Sequence, residues 1–289
     1  MLRLFYAVKP LIPRRLQILL RRIRARRILD RLEGAVLWDD GLHDAAFPWP
    51  DGARAAVLVT HDVELAGGQE RIPALVEIEE RLGIRSCWNF VTDRYPVDTG
   101  LIAQLQSLGH EVGVHGVKHD GKLFSSPEEF HRRLTRVVQI AKEWNADGFR
   151  SPALLHDLDL LASLPFGWDS SVPAWDPFQP MSGGVETYRP FMLNRHCVEL
   201  PVTCWQDFTL FEELDIDAMA VWRRQINGIA DAGGLINIII HPDYLTDSKR
   251  IGIYEQLLEF ICGYDGLWIT TPCELADWAR PILARESEA

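Results

Sequence analysis

The chain has 289 residues, 47% hydrophobic and 25% charged, which is enough for one large core or two small ones. Its net charge of −11 is divided unevenly: residues 1–31 hold ten Lys/Arg against Asp30 alone, leaving the remainder near −20. An acidic body excludes a nucleic-acid-binding face over most of the surface, and five scattered cysteines without a CxxC pair exclude a full disulfide framework and predict a reducing, cytoplasmic setting.

The basic segment comes first. "MLRLFYAVKPLIPRRLQILLRRIRARR" has apolar stretches broken by Lys9, Pro10, Pro13, Arg14 and Arg15, so it fits neither a secretory signal nor a membrane span of about 18 uninterrupted apolar residues. After Pro13, Leu16, Leu19, Leu20 and Ile23 recur at helical spacing with arginines between them. Two readings stay open: an interfacial helix lying on anionic lipid, peripheral to the inner face of a membrane, or a terminal helix that docks its leucines on the body and turns its arginines outward. Residues 1–50 are taken as this arm and 51–289 as the body.

From Arg54 onward, strand-like and helix-like patterns alternate. "AAVLVTHDV" predicts a buried strand and "PALVEIEERLG" a helix stopped by Gly83. "RSCWNFV" predicts a strand, "TGLIAQLQSLG" a helix and "HEVGVHG" the next strand. "SPEEFHRRLTRVVQIAKEW" predicts a helix with Ser126 at the N-cap, Pro127 first and two acids in the first turn. "GFRSP" and "FGWDSSV" predict short strands. Residues 173–214 are less regular, with one strand in "VELPVT". The chain then resumes as helix, "GLINIII" strand, helix, "LWIT" strand and closing helix. Repeated strand–helix units predict a parallel sheet with helices outside, doubly wound or barrel-like, and place functional groups at the C-terminal strand ends.

Each apolar strand is followed by groups able to do acid, base or metal chemistry: Thr60-His61-Asp62-Val63-Glu64, His115 to Asp120, Arg150-Ser151, Asp169-Ser170-Ser171 and His241-Pro242-Asp243. Asp62 and Glu64 are two apart, so on a continuing strand they share a face, and His61 points away as a structural residue. His115 and His119 with a nearby carboxylate make a site for zinc or a similar divalent ion. Arg150 can hold Asp62 ionised, and His241 can act as a general acid. Trp175, Phe178 and Trp205 could stack on sugar rings or simply pack in the core.

"THDVE", "HGVKH", "FRSP", "DSS" and "IIIHP" resemble, in order and spacing, the five motifs of NodB-type polysaccharide deacetylases, carbohydrate esterase family 4, over roughly residues 55–278. The resemblance implies an α/β fold, a distorted (β/α)7 barrel, with the basic helical arm outside it. It implies a divalent metal, usually zinc, and removal of N-acetyl groups from amino sugars. It implies Asp62 as base, His115 and His119 as metal ligands, Arg150 as the tether of the base and His241 as acid. Val63 stands where the common motif has its metal-binding Asp, and Glu64 takes the position used by Asp-Val-Asp relatives. Asp169 takes the fourth-motif place, set well before Trp175. The alternatives are a small-molecule amidohydrolase on the same barrel and a catalytically silent glycan-binding domain.

Overall fold

The computed structural model describes residues 13–287, so the first part of the basic arm lies outside the described residues. Helix α1 (Arg14–Arg31) follows Pro13. The body then alternates β1 (Ala55–Val63), α2 (Ile72–Leu82), β2 (Cys87–Phe90), α3 (Thr99–Ser107), β3 (Glu111–Val114), α4 (Pro127–Trp144), β4 (Gly148–Phe149) and β5 (Trp168–Asp169). After the irregular stretch come β6 (Phe191–Met192), β7 (Val198–Glu199), α5 (Ala218–Ala232), β8 (Leu235–Ile240), α6 (Ser248–Cys262), β9 (Leu267–Thr270) and α7 (Pro272–Glu286).

The helix ends follow local chemistry. Ser126 accepts the amide of Glu129 at the start of α4, and Asp217 caps α5 in the same way through Ala220. Gly83, at φ +70°, closes α2 in the left-handed conformation.

All nine residues of β1 and all six of β8 are buried, as expected of central strands in a covered parallel sheet. The sheet runs β6-β7-β5-β4-β3-β2-β1-β8, and every pairing is parallel except β6–β7. β9 also pairs with β1, at Ala55 to Leu58, while β2 takes Thr60 to Val63. One edge of β1 is therefore divided between two strands, which distorts the barrel there. On the other side the segment after β7 closes toward β8: the amides of Thr203 and Cys204 both donate to Asn237 O. This is the curled parallel α/β architecture expected from the alternation of strand and helix patterns.

The arm is packed into this body. Ala25, Val36 and Ala45 belong to the main apolar core. No helix among the described residues is long and apolar enough to cross a membrane, and all five cysteines are free thiols.

Candidate active site

Asp62, Glu64, His115, Arg150 and His241 all arrive at the C-terminal ends of parallel strands, where the loops of such a barrel gather. They converge with His119, and all except Arg150 line a cavity of about 910 Å³.

Asp62 is buried. One of its oxygens accepts from Asn89 Nδ2 and from Arg150 Nη1, both at 3.2 Å; the other lies 3.7 Å from His115 Nε2. Burial alone would raise its pKa, but His115, the Arg150 guanidinium, His241 and the Asn89 hydrogen bond outweigh it and hold the carboxylate below its ordinary range. Arg150 is itself fully enclosed. Its remaining donors go to Thr60 Oγ1 (2.6 Å), Ser170 O (2.8 Å) and Ser170 Oγ (2.7 Å), so its fork is fixed before it meets Asp62. The side chain of Asn89 needs Gly113 beside it: a Cβ there would lie 2.1 Å from Asn89 Oδ1.

His115 is oriented by a hydrogen bond from Nδ1 to Arg150 O at 3.0 Å. That carbonyl can only accept, so the proton sits on Nδ1 and Nε2 presents a lone pair. Nε2 is buried without a hydrogen-bond partner, and burial pushes the His115 pKa down to about 4, so the ring is neutral near pH 7. The turn that releases the chain after His115 uses Gly116 at φ +65°, where a Cβ would also sit 2.8 Å from the Pro152 ring. His119 Nε2 lies 2.9 Å from Glu64 Oε1. The His119 loop is anchored by a two-point pair from Arg133 of α4 to Asp120, at 2.7 and 2.9 Å.

Ligand atoms of Glu64, His115 and His119 lie within 4.8 Å of one another. An orphaned buried imidazole nitrogen beside a second imidazole and an ionised carboxylate fits a divalent cation with open positions remaining. Burial works against ionisation of Glu64, but contact with His119 prevails and holds its carboxyl far below the usual range. Asp243 secures the Glu64 backbone by accepting its amide at 2.9 Å, and Gly68 leaves room for that carboxylate, since a Cβ there would meet it at 2.5 Å.

His241 is held from behind. Asp207 accepts the His241 amide at 2.8 Å and pairs with Nδ1 at 2.6 Å, leaving Nε2 facing the cavity, 3.9 Å from Glu64 Oε1. Burial would favour the neutral ring, yet Asp207 outweighs it and lifts the pKa to about 10. His241 is thus an imidazolium over the physiological range.

Asp169, expected at the catalytic rim, is not there. Successive residues of a strand face opposite sides. Ser170 turns toward Arg150, and Asp169 points away, where it accepts the Ser171 hydroxyl at 2.8 Å. It lies outside the cavity lining, and burial raises its pKa to about 7. The partner of His241 is Asp207, which is absent from the five motifs. A signal for it exists in the sequence: Asp207 follows "VELPVTCW", another apolar run ending in polar residues.

His61 points away from the site as expected. It bonds Glu79 at 2.6 Å and stacks on Trp88 with ring centroids 3.7 Å apart. Of the three candidate aromatics, Phe178 lines the cavity. Trp205 is fully buried in the core, with Phe178 edge-on at 4.8 Å and Trp175 packed at 6.1 Å.

No protein-family model matches the chain. A peptidoglycan deacetylase of Helicobacter pylori is 21% identical, over 74% of this chain and 85% of its own length. A Mycobacterium smegmatis protein assigned as a polysaccharide deacetylase superposes with a TM-score of 0.67 at 20% identity, covering 82% of this chain and 94% of that one. The Puue allantoinase superposes with a TM-score of 0.61 at 13% identity, covering 81% and 92%. With its curled parallel sheet and surrounding helices, the chain has the fold of a NodB-like deacetylase domain.

Proposed function

We propose that this chain is a metal-dependent hydrolase that removes the N-acetyl group from an amino sugar of a glycan. The observation that carries the reading is the convergence of two held groups on the Glu64–His115–His119 cluster: Asp62, fixed by Arg150 and 3.7 Å from His115 Nε2, and His241, fixed by Asp207 and 3.9 Å from Glu64 Oε1. The sequence likeness to a peptidoglycan deacetylase supports the substrate class.

Glu64, His115 and His119 would hold the ion, and two imidazoles with one carboxylate suit Zn²⁺. When bound, such an ion polarises a carbonyl oxygen and acidifies a water. The chain supplies the proton transfers. Asp62, kept ionised, takes a proton from the attacking water. His241 gives its Nε2 proton to the departing nitrogen, and Asp207 stabilises the imidazolium until that moment and sets the ring orientation. The C–N bond breaks, and acetate and a free amine leave. Phe178, Phe208 and Tyr244 on the cavity wall offer apolar faces to sugar rings.

The rival is a small-molecule amidohydrolase, which the superposition on an allantoinase keeps in view. A cavity of about 910 Å³ is at the upper end for small-molecule sites and favours a substrate of more than one ring. The test is acetate release from N-acetylated oligosaccharides, beside ring opening of a small cyclic amide, each with and without chelator. Chelator-sensitive acetate release alone supports the proposal; ring opening alone gives the rival, and neither activity gives a silent binding domain.

A further inference from the structure

Helix α1 packs Ala25, Ile28 and Leu29 on the main core and is tied down by arginines nearer its start. Arg22 Nε donates to Glu212 O at 2.8 Å, Arg24 donates to Phe178 O at 2.6 Å and to Gln179 O at 3.1 Å, and Arg21 pairs with Glu213 at 3.5 Å. Ala25 is fully buried beneath them. With the attachment made by these arginines, Ala25, Ile28 and Leu29, four apolar residues nearer the start of the helix are left outside. Leu16, Leu19, Leu20 and Ile23 form one stripe at helical spacing and are 45, 52, 51 and 42% exposed. Arg26 and Arg27 continue that face, both exposed and without a hydrogen-bond or ion-pair partner among the described residues.

The same helix walls the catalytic cavity through Gln17, Ile18, Leu20, Arg21 and Arg24. Leu20 therefore belongs both to the exposed stripe and to the cavity rim. Leu65, 37% exposed, is a second apolar rim residue.

We propose that this face seats the mouth of the cavity on an anionic lipid bilayer, so that the enzyme takes an acylated amino sugar borne on a lipid. The second half of this statement rests on the deacetylase reading above; the first does not. Charge selects the occupant. Residues 1–31 carry ten Lys/Arg against one acid on a chain whose net charge is −11. An anionic surface attracts the arm and repels the body, which orients the molecule with the arm against the lipid. The leucine stripe then enters the interface. In a reducing cell interior, the surface of this kind is the anionic cytoplasmic leaflet.

The test is sedimentation of the full chain with vesicles of phosphatidylglycerol mixed with phosphatidylcholine, and with vesicles of phosphatidylcholine alone. The wild type is expected to sediment with the anionic vesicles and to be released by salt. Leu19→Glu with Ile23→Glu should weaken this at least tenfold through lost apolar insertion. Arg26→Gln with Arg27→Gln should weaken it roughly thirtyfold, about fivefold per charge. None of these four side chains lines the cavity, so both variants should deacetylate a soluble N-acetyl sugar at the wild-type rate. With an N-acetylglucosaminyl lipid in the anionic vesicles, the wild type should outpace both variants. Equal sedimentation of wild type and variants overturns the proposal. So does a dimer that Leu19→Glu with Ile23→Glu dissociates, together with absence of vesicle binding. Vesicle binding is read from protein mass, so failure of the deacetylase reading would leave it standing and remove only the statement about substrate.

Discussion

Replacing Asp207 with asparagine tests how the acid is made. Asp207 is fully buried, and its carboxylate meets both the amide and Nδ1 of His241. The His241 pKa stands at about 10 against an ordinary 6.5, and at 1.36 kcal/mol per pH unit the gap is worth on the order of 5 kcal/mol of preference for the imidazolium. The substituted side chain keeps the size and one hydrogen bond but removes the charge, and burial then favours the neutral ring. A general acid must be protonated, so activity falls as pH rises through its pKa. The alkaline limb of kcat/KM for acetate release should move from near pH 10 to about 6.5 or below in the variant. At pH 8.5 the variant should then be about a hundredfold slower, because only about one ring in a hundred keeps its proton two pH units above the pKa. The linkage has the same sign for stability. A pKa raised on folding stabilises fully below pH 6.5, and the contribution is lost as pH rises toward 10. An alkaline limb that stays in place in Asp207→Asn would refute the role given to this carboxylate.

Asp62→Asn should lower turnover by roughly a hundredfold or more while the ion stays bound, since the base is lost but Glu64, His115 and His119 are not; steady-state kinetics beside metal analysis checks this. Gly148→Ala should destabilise the barrel. A Cβ at Gly148 would lie 1.8 Å from the buried Trp168 ring, an overpacking of about 3 kcal/mol that should lower Tm by roughly 5–10 °C in thermal melts.

Much of this site is legible in the sequence because a parallel strand is an apolar run that must end, and the polar residues just past its end face the catalytic rim. That logic places Asp62, His115, Arg150 and His241. It fails at Asp169 because β5 is two residues long, and the pleat sends Asp169 and Ser170 to opposite sides. Asp207 escapes it because this residue lies in the irregular middle of the chain, 34 residues from His241, beyond a run that Glu199 and Pro201 interrupt. Asp243 stands in a recognised strand ending, but its task is to hold the Glu64 amide, a pairing across 179 residues that spacing cannot express. For α1, periodicity shows which side chains share a face but not which face docks. Backbone carbonyls of Phe178, Gln179 and Glu212, far along the chain, hold Arg22 and Arg24 and leave Leu16, Leu19, Leu20 and Ile23 out.

The central claim is that Glu64, His115 and His119 hold an ion on which hydrolysis depends. The most direct measurement is the divalent-metal content of the purified chain and of His115→Ala, taken beside acetate release from an N-acetylated oligosaccharide. His115 Nε2 is a buried nitrogen with no other partner, so its removal should take the ion with it. The prediction is about one ion per wild-type chain, and loss of both ion and acetate release in the variant. A variant that keeps its full ion content, or that releases acetate at the wild-type rate without one, would contradict the account.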